Sequence, residues 1–583
     1  MKRNRLSDKT IAKPNLFSLL RPYSWFIALL VALTILSNGL NLVVPKIISH
    51  AIDSYTLGSF SIQTIAIEFF LVSLSIFIFT YLQSVVQTYT AELVARNLRT
   101  QLVAKISVQD HAYIQRVTPS KLLTNLTSDV DAVKSFVSQA ISSIISSIFL
   151  IIGACILLML INWRLALAAL IALPIIGIAF YFVMKKLRKL FKRSQEVIDW
   201  LNKVINESIL GSALIRLLNS SHYEYNKFLS ANIEAREVSL SILRLFAGLI
   251  PVISFAANLS VLIILALGGK FVIDGAMSLG NFTAFNSYLA ILIFPIIIIG
   301  FMSNVIAQAS ASYQRVCEVL MVENKKMNGK FKGMLKGEIS VKNVFVDFAG
   351  KSVLKNVSLD THAGTRTAII GPTAAGKTQL LYLLTGLTEP TSGTVEYDNE
   401  NINAFDKVNF HEQVGLVFQD SIIFNLSIRE NIAFNNTVKD KDIEKAIDTA
   451  ELRDFINALP DGLDAIVSER GTSLSGGQKQ RVMLARALAL NPKVLLLDDF
   501  TARLDTNTEK TILKNVHVNY PEITLISVTQ KIESVQDYDQ IILLMEGEVL
   551  AVGTHAMLLG NSPEYVQIYN SQRSTNQYEL QAK

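Results

Sequence analysis

The chain has 583 residues, half of them apolar, and its mean hydropathy is +0.37. It is too long for a single hydrophobic core and too apolar for a wholly soluble protein. The net charge of +6 does not indicate nucleic-acid binding, because Lys and Arg clusters beside apolar segments meet anionic lipid headgroups. Two cysteines, Cys155 and Cys317, provide neither a disulfide framework nor metal-ligand spacing.

Six segments in the first 305 residues have apolar cores long enough to cross a bilayer as helices. Helices are required there because lipid cannot satisfy a backbone polar group that lacks an internal partner. The apolar cores contain no Lys, Arg, Asp or Glu. The sequence therefore predicts an α-helical transmembrane domain over residues 1–323, with spans at 25–46, 65–86, 138–161, 163–184, 245–268 and 282–305.

Basic residues indicate the orientation of the spans, since Lys and Arg are retained on the cytoplasmic side of a membrane. The amino-terminal tail and the long connections after the second and fourth spans are rich in them, as in the segment 185–193. The other connections hold only Lys46, Arg164 and Lys270. We expect the amino terminus and both long connections in the cytoplasm, and the first span has no signal-peptide cleavage pattern.

The two long connections are polar and compatible with helices that extend beyond the membrane. Helices of 20 to 25 residues would carry them roughly 30 to 40 Å into the cytoplasm before the chain turns back. The turning points are predicted at 118–136 and 206–218. Each tip is either a solvated helical hairpin or a surface that contacts a cytoplasmic domain.

A second domain follows a basic, glycine-containing linker at 324–336. Short apolar segments typical of strands alternate there with helical segments, which indicates an α/β domain around a largely parallel sheet. We place this domain at 337–570 and a polar tail at 571–583. The predicted fold is therefore a six-span helical domain followed by an α/β phosphate-loop domain.

A phosphate-binding loop is predicted at GPTAAGKT, because this motif follows the strand-like RTAIIG and precedes a helical segment. Backbone amides of such a loop and the helix amino terminus cradle phosphate oxygens. Lys377 is expected to reach the β- and γ-phosphates of a nucleotide, and the Thr378 hydroxyl to bind Mg²⁺. The nucleotide-binding candidates are Gly371, Pro372, Thr373, Ala374, Ala375, Gly376, Lys377, Thr378 and Gln379.

The segment VLLLDD predicts a buried strand that ends at Asp498, whose carboxylate would hold the Mg²⁺ shell. Downstream of the phosphate loop, LSGGQ at 474–478 is a much more specific motif. Together with the phosphate loop and the six spans, it resembles the ATP-binding cassette (ABC) transporters. The resemblance covers nearly the whole chain. The chain is similar to an exporter half-transporter, in which six spans are fused to one nucleotide domain.

The resemblance implies roles for further residues. Phe348 corresponds to the aromatic residue that stacks on adenine. Gln419 corresponds to the glutamine that contacts Mg²⁺ and the attacking water, and Asp505 to the acid of the loop that links two nucleotide sites. The long cytoplasmic connections would hold coupling helices. The signature residues would complete the site of the opposite subunit: Leu474, Ser475, Gly476, Gly477 and Gln478.

Two positions depart from the family pattern, and both belong to the chain's own site. Asp499 stands where glutamate is usual, and Gln530 stands where histidine is usual. Phosphoryl transfer depends on positioning and charge stabilisation, so both changes should slow hydrolysis. The signature motif is unaltered. The pattern is similar to the degenerate half of heterodimeric exporters and implies a different partner chain that carries the glutamate and the histidine.

The sequence thus predicts one half of an ATP-driven exporter in a bacterial inner membrane, with Mg-ATP as its nucleotide. No charge lies inside the apolar cores, which favours an apolar or amphipathic cargo over small ions. Expected partners are a second half-transporter, membrane lipid and the transported small molecule, without nucleic acid. A homodimeric exporter with slow ATPase activity and a nucleotide-gated channel or regulatory membrane protein are the alternatives.

Overall fold

A computed structural model describes residues 16–170, 172–323, 329–348, 350–434, 437–468 and 471–581. The chain forms two compact units. The membrane unit contains Met1–Val108 and Val117–Glu323, and the carboxy-terminal unit contains Gln109–Arg116 and Asn324–Lys583. Residues 324–328 of the predicted linker lie outside the described part of the chain.

The membrane unit is built from long helices. Five continuous helical stretches in the described part of the chain are long and apolar enough to cross a membrane. The predicted span at 163–184 coincides with two further helices, Trp163–Leu170 and the start of Ala172–Leu210, and residue 171 between them lies outside the description. The helices are α1 Ser24–Thr56, α2 Ile62–Ser107, α3 His111–Val117, α4 Pro119–Thr124, α5 Val130–Ser135, α6 Ile141–Ile161, α7 Trp163–Leu170, α8 Ala172–Leu210, α9 Ser212–Leu217, α10 Ser221–Ile263, α11 Gly269–Ile273 and α12 Leu279–Leu320.

The first cytoplasmic connection turns earlier than the sequence predicted. Helix α2 ends at Ser107, the short helix α3 forms the turn, and α4 begins at Pro119. The turning point predicted at 118–136 is therefore wrong. A proline is tolerated in the first turn of a helix but disfavours helical backbone at the residue before it, so the chain turns before Pro119 and the next helix begins there. The turning point predicted at 206–218 is confirmed, since α8 ends at Leu210 and α10 begins at Ser221.

A carboxylate near the end of α1 caps the amino terminus of α12. The Ser278 hydroxyl donates to one oxygen of Asp53 at 2.7 Å, and the Gly280 amide donates to the other at 2.8 Å. A carboxylate is favourable there because the free amides of a helix start carry partial positive charge. The helices also approach closely, since a Cβ on Gly280 would lie 2.1 Å from the Ser49 carbonyl oxygen. This junction joins the first and last helices of the membrane unit.

The carboxy-terminal unit contains two sheets, formed by the strands β1 Ile339–Phe348, β2 Lys351–Thr361, β3 Arg366–Ile370, β4 Ser392–Tyr397, β5 Glu400–Asn401, β6 Val414–Val417, β7 Val494–Asp498, β8 Thr524–Val528, β9 Gln540–Met545 and β10 Glu548–Gly553. One is antiparallel with the order β2-β1-β4-β5, and the other has the order β10-β9-β3-β8-β7-β6 and is parallel except for β10. Strands β3, β7 and β8 are short and almost wholly buried, as expected for a parallel sheet covered on both faces.

Helices flank these sheets, and the predicted fold class of a helical membrane domain followed by an α/β domain is confirmed. The segment expected to be a polar tail, 571–583, continues the last helix through Gln581 instead of forming a separate tail. The helices are α13 Lys377–Leu384, α14 Lys407–Gln413, α15 Ile428–Ile432, α16 Asp440–Thr449, α17 Arg453–Asn457, α18 Gly476–Leu488, α19 Thr506–Asn519, α20 His555–Asn561 and α21 Pro563–Gln581.

The junction of α1 and α12 gives a first prediction. Gly280→Ala should lower the free energy of unfolding by about 1 to 3 kcal/mol, because the new methyl group forces the two helices apart. Thermal unfolding of the purified protein in lipid nanodiscs measures this loss. Gly248→Ala in α10 is the control, since a Cβ there meets no atom within 4 Å. Equal stability of the two variants would contradict the close packing.

Candidate nucleotide-binding site

The segment after β3 forms a loop that closes on its own lysine. Lys377 lies at the start of α13, is 9% exposed, and donates to the carbonyl oxygens of Gly371 at 2.8 Å and Pro372 at 2.7 Å. Gly376 has a φ of 96°, and a Cβ there would lie 2.9 Å from a methyl carbon of Leu354. The glycine is therefore required by both backbone conformation and space.

Ala374, which stands where many such loops have glycine, also adopts a left-handed backbone, with a φ of 66°. An alanine in this conformation costs about 1 to 2 kcal/mol, because its Cβ approaches the following carbonyl oxygen. The sequence could identify the substitution but not the backbone conformation. The loop thus keeps its shape at an energetic cost.

Asp498 ends β7 beside the phosphate-loop helix. It is 1% exposed, one carboxylate oxygen accepts from the Thr378 hydroxyl at 3.2 Å, and the other has no hydrogen-bond partner in the described structure. Burial raises the pKa of Asp498 to about 6, and the neighbouring charge of Asp499 acts in the same direction. Burial likewise lowers the pKa of Lys377, against the effect of both aspartates. The site therefore holds ionisable groups whose charged forms burial disfavours.

A cavity of about 370 Å³ brings most of the candidate residues together. The loop from Thr373 to Gln379 forms one wall. Two apolar residues that sequence reasoning missed, Val353 and Val528, complete the lining; they carry no functional group, and only the fold reveals them. The other lining residues are Gln419, Asp498, Asp499 and Gln530.

The residues present fit a nucleotide with a divalent cation. The cavity falls within the roughly 300 to 1,000 Å³ of small-molecule sites. It offers a lysine, a helix amino terminus and a buried carboxylate oxygen that has no hydrogen-bond partner in the described structure. Hard oxygen ligands such as a hydroxyl and a carboxylate suit Mg²⁺. Thr378 and Asp498 are the side chains that would hold it, and Gln419 borders the same space.

The two altered positions both line this cavity, and their backbones are connected. Asp499 has a φ of 46°, and its amide donates to the carbonyl oxygen of Val528 at 3.0 Å. The left-handed conformation is one that Asp accepts more readily than longer side chains. Val528 ends the strand that leads to Gln530, so the two altered positions share one structural support.

Gln419 lies between two helices that approach the cavity. Gln480 in α18 donates to its carbonyl oxygen at 3.3 Å. The neighbouring Phe418 ring lies 6.1 Å from the ring of Tyr382, which in turn lies 5.5 Å from the ring of His111. Within the carboxy-terminal unit, ring contacts thus connect α3, the turn of the first cytoplasmic connection, to the residue beside Gln419.

The remaining candidates lie outside the cavity. Ser475 caps α18 through a capping box with Gln478, its hydroxyl accepting from the Gln478 amide at 3.2 Å. Asp505 caps α19 and accepts from the Thr508 amide at 3.0 Å. The side chain of Phe348 lies outside the described part of the structure. None of the signature residues 474–478 lines the cavity.

Comparison with known proteins identifies the family. The sequence model of one family, described as the ABC transporter transmembrane region, matches residues 27–296, and the model of a second family, described as ABC transporter, matches residues 354–502. The uncharacterized ABC transporter ATP-binding protein YknU of Bacillus subtilis strain 168 is 30% identical over 82% of this chain and 82% of its own length. The chain belongs to the ABC transporter family.

Other relatives agree with this assignment. An ATP-dependent lipid A-core flippase of Syntrophus aciditrophicus is 27% identical over 85% of this chain and 83% of its own length. The structure of a bacterial Atm1-family ABC exporter with ATP bound has the same fold, with a TM-score of 0.77 and 23% identity over 95% of this chain and 99% of the other. This ABC transporter is therefore a multi-pass membrane protein in which an ABC transporter transmembrane region is fused to an ABC ATPase domain.

The buried carboxylate gives a second prediction. Asp498→Asn should raise the stability of the nucleotide-free ABC transporter by about 1 to 3 kcal/mol, because the amide keeps the Thr378 contact and removes a buried charge. The same variant should lose the extra stabilisation that Mg²⁺ adds to that of ATP alone. Differential scanning fluorimetry with and without ligands measures both. Exposed Asp461→Asn is the control, and a variant that keeps the Mg²⁺-dependent shift would contradict the assignment.

The strained loop gives a third prediction. Ala374→Gly should strengthen ATP binding or stabilise the nucleotide-free protein by about 0.5 to 1 kcal/mol, because it removes the left-handed alanine at some cost in chain entropy. Isothermal titration calorimetry and thermal unfolding measure the two effects. Ala375→Gly is the matched control, since Ala375 does not have a positive φ. If Ala374→Gly destabilises the protein as much as Ala375→Gly does, the left-handed backbone of Ala374 does not strain the loop.

Proposed function

We propose that this chain is the catalytically weak half of a heterodimeric exporter that moves apolar or amphipathic molecules out of the cell. The observation that carries this proposal is the content of the cavity. Asp499 and Gln530 lie there with Lys377 and Asp498, whereas the signature residues lie elsewhere on the chain. The alterations thus affect the chain's own site and spare the surface that serves a partner.

The proposed nucleotide site uses the chain's residues as follows. Residues 373–379 and Lys377 in particular hold the phosphates of ATP, with Thr378 and Asp498 on Mg²⁺. When bound, the ion would neutralise charge on the phosphate oxygens. Gln419 orients the water that attacks the terminal phosphate. Phe348 is expected to stack on adenine, at the end of β1.

Hydrolysis at this site should be slow for two physical reasons. Asp499 is one methylene shorter than glutamate, so its carboxylate lies short of the place where it would orient water. Misplacement by about 1 Å can cost roughly 100-fold in rate. Gln530 can donate a hydrogen bond but has no ionisable ring to stabilise charge on the transferred phosphoryl group.

The signature motif supports a dimeric arrangement. Ser475 and the glycines that follow it stand at the amino terminus of α18, a 13-residue helix whose free amides favour anionic groups. In the proposed dimer this end meets the nucleotide held by the partner chain, with Asp505 in the connection between the two sites. The partner supplies a glutamate and a histidine, so that one site hydrolyses ATP efficiently.

The membrane unit supports an apolar or amphipathic cargo. Two polar contacts between helices within the apolar spans use uncharged groups: Ser37 with Thr80 at 2.8 Å, and Ser146 donating to Asn38 at 3.0 Å. Charged side chains inside a membrane mark ion pathways, and the apolar cores of the spans have none. One relative is named as a lipid A-core flippase, and lipid A-core is an amphipathic molecule. ATP binding would shift the population between inward- and outward-facing states.

ATPase rates test the weak site. The purified chain in nanodiscs should hydrolyse ATP slowly, and Asp499→Glu combined with Gln530→His should raise the maximal rate about 10-fold or more, because it restores water positioning and charge stabilisation. Adding Lys377→Ala to the restored variant should abolish the gain. If the unaltered chain matches the restored variant, the site is not degenerate, and a homodimeric exporter becomes the better description.

Co-purification tests the partner. Expression of the chain with half-transporters from the same genome should yield a one-to-one complex with a chain that carries both the glutamate and the histidine. Only that complex should combine rapid ATPase activity with ATP-dependent uptake of a lipophilic dye into inverted vesicles. A stable homodimer that transports equally well would overturn the heterodimer proposal.

A further inference from the structure

The last helix of the chain holds the loop that carries Gln530. In α21, the side-chain amide of Gln572 donates to the carbonyl oxygen of Gln530 at 2.6 Å. Its side-chain oxygen accepts from the amide of Ile532 at 3.0 Å. One side chain therefore uses both ends to bind the peptide groups on either side of Lys531.

We propose that Gln572 is a positioning residue for the nucleotide site: it fixes the backbone at 530–532 so that the Gln530 side chain stays in the cavity beside Asp499 and Lys377. This inference rests on the proposed function for its effect on hydrolysis. The geometric part, that Gln572 holds the loop, stands independently of it. Gln572 itself does not line the nucleotide cavity.

The loop needs such a tie because one side of it borders open space. A second cavity, of about 420 Å³, separates it from part of α21. Gln530 and Gln572 line this cavity together with Gly371 and Pro372 from the phosphate loop. A loop beside a cavity lacks close-packed neighbours on that face, so side-chain hydrogen bonds determine where its peptides lie.

Other contacts fix the flanks of the loop, and the Lys531 amide donates to the Thr529 hydroxyl at 3.1 Å, which leaves the Gln530 carbonyl oxygen to Gln572. The Thr529 amide donates to the Ile369 carbonyl oxygen at 3.2 Å, which ties the start of the loop to β3. Lys531 reaches the buried carboxylate of Glu509 at 3.8 Å. Glu509 is 1% exposed, and in the described structure its oxygens have no hydrogen-bond partner, so Lys531 offsets a buried charge.

A glutamine at position 530 increases the importance of this tie. Its side chain has three rotatable torsions and no rigid ring, so the place of its amide depends on a fixed Cα position. Each of the two bonds from Gln572 contributes modestly, but together they define the orientation of the peptide. Loss of both should let Gln530 move by a fraction of an ångström or more, which phosphoryl transfer does not tolerate.

The test is a double-mutant cycle in the full-length chain, using Asp499→Glu as the background so that hydrolysis is fast enough to measure. Gln572→Met, which keeps the length of the side chain and removes both bonds, should lower kcat about 5- to 50-fold with little change in KM. With Gln530→Ala also present, Gln572→Met should have less than about a 2-fold further effect, because there is no side chain left to position. Equal losses in both backgrounds would overturn the proposal.

Two further variants separate positioning from a general structural role. Gln567→Met, on the same helix and lining the same second cavity, should leave kcat unchanged. Gln572→Glu still accepts from the Ile532 amide but places a carboxylate oxygen against the Gln530 carbonyl oxygen, which repels it, so this variant should lower kcat at least as much as Gln572→Met. A Gln567→Met loss as large as that of Gln572→Met would show that α21 matters only for folding, and would refute the assignment.

Hydrogen exchange tests the geometric part without hydrolysis. In nucleotide-free protein, Gln572→Met should speed amide exchange at Ile532 about 10-fold or more, and Gln567→Met should not. If Asp499→Glu gives no measurable hydrolysis, the kinetic premise of the proposed function fails, and this exchange result still decides whether Gln572 holds the loop. Unchanged exchange at Ile532 would overturn the inference.

Discussion

The candidate site depends on the parallel alignment of β3, β7 and β8. Their carboxyl ends lie at one edge of the sheet, so the loop after β3, Asp498 at the end of β7 and Gln530 after β8 converge although they are far apart in the sequence. Alternate residues of β7 pack into separate cores on the two faces, Leu495 in one and Leu496 in the other. A strand that is covered on both faces in this way is apolar along its length. The first polar residue of β7 is therefore Asp498 at its carboxyl end, where the strand reaches the site.

Placing charges at this edge has an energetic cost. Lys377 and Asp498 are both buried. Burial lowers the pKa of Lys377 and raises that of Asp498, and both shifts favour the neutral form of the side chain. Ala374 adds a left-handed backbone that alanine disfavours. These features lower the stability of the nucleotide-free domain, and a bound anion with its cation offsets them, since any ligand that binds only the folded state stabilises it.

Much of the site was predictable because its chemistry-bearing residues occur in short motifs with local spacing. The loop residues 373–379 and Asp498 meet in one cavity as the sequence suggested. Long-range and backbone features were not predictable. Gln572 binds across 40 residues of sequence, and no periodicity marks it. The first cytoplasmic turn was misplaced because Pro119 was read as part of the turn, whereas it begins the helix that follows the turn.

The shared support of Asp499 and Gln530 has consequences for how the two altered positions act together. The Asp499 amide is bonded to Val528, and the chain continues from Val528 into the loop that Gln572 holds. A shift of either position is therefore transmitted to the other through the end of β8. Glutamate at 499 gains reach but enters a left-handed backbone that favours aspartate, so reach and backbone preference oppose each other. Because the residues are coupled in this way, their effects on hydrolysis should not be additive.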